Sequence, residues 1–155
     1  MPLTPVLLAL HVLSIVYWIG GVAFVTITLL PALSRLPARE RFGMFTDIER
    51  RFGIQARVLV VIAGSTGYGL LVRMRLTGLL SRGAGWWLDG MIGLWALFAI
   101  LLFVLEPLLL HRKLTDLARR DHEHAYALLL RGHRALLILA TLVIFGAILG
   151  ANGVT

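Results

Sequence analysis

A histidine lies in a long apolar stretch that carries no charged side chain. His11 is followed at i+3, i+7 and i+10 by Ser14, Trp18 and Gly21. Side chains at these spacings share one face of an α-helix. An imidazole on such a face either forms a hydrogen bond in the core, to Tyr68 or to a backbone carbonyl, or is a ligand of a metal or haem iron.

A second apolar segment would run antiparallel to the first and bring further residues to the depth of His11. These residues are Thr66, Gly67 and Tyr68, and we expect them to line a pocket around the imidazole. Gly64, Gly67 and Gly69 form a smooth patch in the same segment. Such a patch lets two helices pack closely, and it would also let a flat macrocycle approach the backbone.

Two other sets of donor atoms are suggested by residue type and depth. His11 with the thioethers of Met74 and Met91 would suit Cu(I), although methionine also commonly fills apolar gaps. His111 and His133 would lie at one depth on neighbouring elements, near the opposite membrane surface from His11. They could bind a second haem, or they could be two interfacial histidines in a basic region.

One carboxylate, Glu106, lies well inside an apolar stretch and is followed by Pro107. Arg57 should reach a similar depth at the start of the second segment. A charged group in a membrane usually has an oppositely charged partner, so we predict an Arg57–Glu106 pair. Its role would be structural, or it would serve proton transfer or cation passage.

The composition indicates that these residues lie on membrane-spanning helices. Of the 155 residues, 59% are hydrophobic and 15% are charged, which excludes an ordinary soluble domain and a disordered chain. The absence of cysteine excludes disulfides, iron–sulfur clusters and thiolate zinc sites. Four apolar stretches, at about residues 3–33, 54–72, 88–110 and 135–154, are each long enough for a membrane helix. We therefore predict an all-α, polytopic four-helix bundle, with residues 1–155 as one domain.

The 15 lysines and arginines indicate the orientation. Six lie in the first loop region, three in the middle one and six in the third. The positive-inside rule then places the first and third loops in the cytoplasm of a bacterial-type inner membrane, with both termini outside. The net charge of +7 is explained by this topology and by anionic lipid, so no nucleic-acid partner is expected. Gly146 and Gly150 form a small-xxx-small pair that suggests a homodimer contact.

The sequence also contains an amphipathic stretch between the first two spans, and it lacks the common catalytic motifs. The stretch Arg39–Phe52 is amphipathic and would be a short interfacial helix or a continuation of the second span. The chain has no nucleophile elbow, no Walker motif and no His-Glu-x-x-His motif. An enzyme of this kind would depend on a bound metal, a haem or a lipid-soluble substrate.

The first helix carries a recognisable motif, HVLSIVYWIGG, which contains His11, Trp18 and the Gly20-Gly21 pair. It resembles helix one of the small copper-resistance-D-like (CopD-like) membrane proteins and of the related HemJ-type proteins. The resemblance extends, more weakly, to the other helices. It includes Pro31, the Ser65-Thr66-Gly67 sequence and an arginine before helix four, Arg131 or Arg134.

The resemblance implies two functions. CopD-like proteins are associated with copper uptake or homeostasis, whereas HemJ-type proteins oxidise protoporphyrinogen and bind a b-type haem through the helix-one histidine. His11 is the residue that carries over as the ligand. The HemJ type pairs this histidine with a lysine deeper in the chain, but the single lysine here, Lys113, lies on the inner side.

The leading prediction is a membrane b-type haem protein in electron transfer or haem-dependent oxidation, which would need a redox partner protein or a quinone. The alternatives are a copper-handling membrane protein and a structural subunit of a membrane complex.

Overall fold

The computed structural model describes residues 3–80, 85–110, 116–117 and 120–153. Helix α1 spans Leu3–Leu33 and α2 spans Ala38–Arg73. Helix α3 begins as an α-helix at Trp86–Ile100 and continues as a π-helix through Leu101–Leu110, and α4 spans His122–Ala151. A short 3₁₀ turn, Leu76–Leu79, follows α2. All four helices are long and apolar enough to cross a bilayer, so the all-α, multi-pass membrane fold is confirmed.

Two helices begin earlier than the apolar stretches suggested. Pro37 precedes α2 in an extended conformation, with ψ 142°, and the amphipathic stretch Arg39–Phe52 then continues directly into the second span. Helix α4 starts at His122, where the Asp121 carboxylate accepts a hydrogen bond from the backbone N–H of His124 at 2.9 Å. The predicted starts, near residues 54 and 135, mark where the sequence becomes mainly apolar, whereas the helices themselves begin before those points.

Large rings packed over glycines bring α3 and α4 together. A Cβ atom at Gly146 would lie 3.1 Å from the Trp86 ring, and one at Gly150 would lie 2.5 Å from the Trp87 ring. The small-xxx-small pair is therefore covered by two indoles of the same chain. The homodimer predicted through these glycines stays a prediction, and it would require both tryptophans to move.

The buried core consists of two apolar clusters stacked along the bundle axis. One contains Trp18, Val22, Ala56, Val60, Leu94, Phe98 and Ala140. The other, nearer the basic loops, contains Val25, Leu30, Leu33, Phe45, Tyr126 and Leu129. Many large apolar side chains on the outer faces are more than half exposed, such as Val16, Ile27 and Leu142, as expected of surfaces that contact lipid.

Arg41 connects the α1–α2 loop to the start of α4. Its guanidinium donates to both carboxylate oxygens of Glu123, at 3.1 and 3.0 Å, and to the backbone carbonyls of Ser34 and Leu36, each at 3.0 Å. It also lies 4.8 Å from the centre of the Tyr126 ring. One side chain therefore fixes three chain segments at this end of the bundle.

We expect Arg41→Ala to lower the free energy of unfolding by about 1 kcal/mol, because it removes an ion pair to an exposed carboxylate and two hydrogen bonds to backbone carbonyls. The measurement is thermal and denaturant unfolding in mild detergent. Arg35→Ala, at an exposed position of the same loop, is the control and should behave as wild type. Equal stability of the two variants would show that Arg41 does not hold the loop to α4.

Candidate functional site

His11 forms hydrogen bonds to helix α2 through one of its ring nitrogens. Nδ1 lies 2.9 Å from the backbone carbonyl of Ala63 and 3.2 Å from the hydroxyl of Thr66, which itself donates to the Ile62 carbonyl at 2.6 Å. A carbonyl can only accept a hydrogen bond, so Nδ1 carries the proton of the neutral imidazole. Nε2 therefore presents a lone pair, and it has no hydrogen-bond partner among the described residues.

The glycines of α2 provide the space for this contact. A Cβ atom at Gly67 would lie 2.9 Å from Cε1 of His11, and one at Gly64 would lie 2.7 Å from the Trp95 indole. Trp95 also donates from Nε1 to the Val60 carbonyl at 2.9 Å. At both positions the glycine faces a protein side chain, so this part of the patch serves helix packing and leaves no open surface for a macrocycle.

The other residues on the His11 face also point into the bundle. Ser14 and Trp18 are each 3% exposed, and the Ser14 hydroxyl donates to the His11 carbonyl at 2.7 Å. Gly21 faces the ring of Phe52 on α2. Trp18 packs edge to face against Phe98, with ring centres 4.8 Å apart. The helical spacing of the motif therefore corresponds to an inward-facing stripe.

Tyr68 and Met74 do not contribute to the environment of His11. Tyr68 is 70% exposed on the outer face of α2, since it is displaced by about 100° around the helix from Gly67. Met74 lies just past the end of α2 and is 53% exposed, while Met91 is partly buried in α3. His111 lies outside the described residues. Within the described ranges, no three His, Asp or Glu side chains are grouped in a way that could hold a metal ion.

A cavity of about 360 Å³ lies between the four helices, with Trp18 in its wall. Trp18 is seven residues beyond His11, or about 10 Å along the helix. Most of the wall is apolar. The polar side chains that line it are Trp18, Thr46, Glu49, Glu106 and His133.

Sequence reasoning missed Glu49. The signal was present, because Phe45, Glu49, Phe52 and Ala56 recur at i, i+4, i+7 and i+11, which places them on one helical face. The structure shows that all four line the cavity. A carboxylate on an otherwise apolar helical face is the pattern that could have identified it.

Two π-helical segments border this cavity. Residues Val25–Leu29 interrupt α1, and Leu101–Leu110 form the second part of α3. Val25 and Leu29 contribute to the wall from the first segment, and Leu101, Leu102 and Glu106 from the second. Such segments are rare and occur frequently at functional sites, so their position here supports the cavity as a candidate site.

Arg57 and Glu106 form an ion pair beside the cavity. The Arg57 guanidinium lies 3.0 Å from a carboxylate oxygen of Glu106, and its Nε donates to the Leu102 carbonyl at 3.1 Å. In a π-helix the partner of the Leu102 carbonyl would be the backbone nitrogen of Pro107, which has no hydrogen. Arg57 therefore satisfies both the carboxylate and a carbonyl that proline leaves without a donor. Glu49 lines the same cavity as Glu106.

His133 lines the same cavity from α4. Its Nδ1 lies 3.0 Å from the Leu129 carbonyl one turn earlier, and its ring contacts Phe45 edge to face at 5.8 Å between centres. The predicted pairing of His133 with His111 cannot be placed, since His111 lies outside the described part of the chain. His133 therefore belongs to the cavity wall and lies apart from His11.

No protein-family model, curated protein or solved structure matches this chain. The resemblance of helix one to CopD-like and HemJ-type proteins stays a prediction.

Proposed function

We propose that this protein is a b-type haem protein of the bacterial cytoplasmic membrane, acting in electron transfer or haem-dependent oxidation, with His11 as an axial ligand. One observation carries the proposal, namely the hydrogen bond from Nδ1 of His11 to the Ala63 carbonyl. A histidine that binds a metal usually donates its other ring N–H to a carbonyl or carboxylate, which fixes the tautomer and directs the free nitrogen toward the metal.

The residues around His11 are suited to holding a ligand imidazole in one orientation. Ala63 and Thr66 hold Nδ1, and Gly67 leaves room for the ring. A bound haem would supply one-electron redox chemistry. The space beside the glycines is filled by side chains, so we expect the group to approach Nε2 from the partly exposed side of His11.

The same observations favour haem over copper. The Cu(I) hypothesis needs two thioethers beside His11, and Met74 is more than half exposed past the end of α2. A b-type haem needs one well-oriented imidazole from this side of the bundle. The HVLSIVYWIGG motif resembles both CopD-like and HemJ-type proteins, so the choice between haem and copper depends on the geometry around His11.

The test is an absorption spectrum of the purified protein in mild detergent, first oxidised and then reduced with dithionite. We expect a Soret band that sharpens on reduction, a b-type α band and a pyridine haemochrome of protohaem. His11→Ala should lose the Soret band, whereas His124→Ala, an exposed histidine on α4, should keep it. Copper in a preparation that lacks haem would favour the copper hypothesis. A full Soret band in His11→Ala would refute the ligand assignment.

A further inference from the structure

One side chain of the cavity wall carries a buried hydrogen-bond donor that no described neighbour uses. Trp18 is 3% exposed and lines the cavity, and its indole Nε1–H has no acceptor among the described residues. Buried polar groups nearly always have a partner, because leaving one unpaired costs about 1–3 kcal/mol. By contrast, the indole nitrogen of Trp95, a partly exposed side chain on α3, has a partner in the Val60 carbonyl. A bound molecule with a hydrogen-bond acceptor would provide the missing partner for the Trp18 N–H.

The rest of the wall restricts what that acceptor can be. Phe45, Phe52 and Phe98 supply aromatic surface, and the remaining wall is mostly aliphatic. Among the described residues no lysine or arginine lines the cavity to hold an anionic ligand, whereas the unpaired N–H disfavours a cation. A saturated acyl chain would fill the space but offers no acceptor. A flat, neutral, lipid-soluble molecule with a carbonyl oxygen satisfies all of these conditions.

The volume and position of the cavity are also suitable. About 360 Å³ lies within the range of ordinary small-molecule sites and accommodates one substituted ring. The two π-helical segments both contribute side chains to its wall. Glu49 and Glu106 provide carboxylate acceptors for a hydroxyl group on the ligand.

We propose that this cavity binds a lipid-soluble quinone, whose carbonyl oxygen accepts a hydrogen bond from Nε1 of Trp18. The choice of a quinone among carbonyl compounds rests on the proposed redox function. The site itself does not, because the cavity is defined by Trp18 and its neighbours and lies about 10 Å along α1 from His11.

The experiment measures binding of decylubiquinone to the purified protein in mild detergent, from the concentration dependence of thermal stabilisation. Concentrations are expressed relative to detergent, since the quinone partitions into micelles. We expect saturable stabilisation of the wild type. Trp18→Phe keeps an aromatic ring against Phe98 but lacks the N–H, so its Kd should rise about tenfold, as expected for one lost hydrogen bond.

Trp86→Phe is the matched control, because Trp86 lies at the other end of the bundle against Gly146. This variant should bind the quinone as tightly as the wild type. Trp18→Phe without ligand should be no less stable than Trp86→Phe without ligand, since it removes an unpaired donor. This comparison shows whether a raised Kd in Trp18→Phe comes from the missing N–H or from a less stable fold.

The proposal is overturned by non-saturable stabilisation of the wild type, by an unchanged Kd in Trp18→Phe, or by equal stabilisation with dodecanol, which would identify a general lipid cavity.

His11→Ala distinguishes the quinone proposal from the haem proposal. If it binds decylubiquinone with the wild-type Kd, the cavity is supported whether or not the protein holds haem. If the wild type does not bind decylubiquinone but shows a Soret band that His11→Ala loses, the quinone proposal is wrong and the haem proposal is retained.

Discussion

Arg57→Leu is expected to lower the free energy of unfolding by about 3 kcal/mol. The substitution removes the partner of the Glu106 carboxylate and, at the same time, the donor to the Leu102 carbonyl. Both acceptors lie in a helix that crosses the membrane, where unpaired polar groups are costly. Chemical unfolding in detergent measures the loss.

A double-mutant cycle with Glu106→Leu isolates the ion pair. The double variant should be more stable than Arg57→Leu alone, because it no longer leaves a carboxylate without a partner. Arg73→Leu is the control. Arg73 is exposed at the end of α2, with one hydrogen bond, at 3.3 Å to Thr4, so its loss should cost no more than about 0.5 kcal/mol.

A substitution at Pro107 tests the contribution of the hydrogen bond between Arg57 and the Leu102 carbonyl. Pro107→Ala restores an N–H to the π-helical segment, so the Leu102 carbonyl would again have a backbone donor. In that background Arg57→Leu should cost less than in the wild type. An Arg57→Leu penalty that is the same with and without the proline would show that the Leu102 contact contributes nothing.

The sequence predicted the membrane spans well, but it did not predict the ends of the helices. Apolar stretches report where the chain contacts lipid. A helix such as α2 continues past that boundary when its charged residues lie on an exposed face, as Arg50 and Arg51 do. Pro37 and Asp121, which precede α2 and α4, are local signals that hydropathy does not register.

The candidate site was also predicted only in part. Thr66 and Gly67 were expected at the depth of His11, because the depth of a residue in an antiparallel span follows from its position along that span. The structure places both residues against His11. The face of Tyr68 could not be predicted from depth, since one residue turns the helix by about 100°. The cavity depends on two π-helical segments and on tertiary packing of all four helices, and neither can be read from residue spacing.

The strongest test of the His11 environment is a substitution that leaves the histidine itself unchanged. Gly67→Leu should abolish the proposed haem signal and lower the free energy of unfolding by about 2 kcal/mol, as overpacking in a core does. A Cβ at this position would lie 2.9 Å from Cε1 of His11, so the ring must shift away from the Ala63 carbonyl. Gly67→Ala should give a smaller loss of both properties.

Gly20→Leu is the matched control, because Gly20 faces outward on α1 and has no atom within 4 Å of its Cβ position. Leucine favours a helix over glycine by about 1 kcal/mol, so this variant should be at least as stable as the wild type and keep the haem signal. A Gly67→Leu protein that matched it in both properties would mean that the imidazole is not held against α2. Loss of stability alone, with the haem signal intact, would mean that the contact packs the helices but does not orient the ligand. The two readouts therefore separate the role of Gly67 in helix packing from its role in positioning His11.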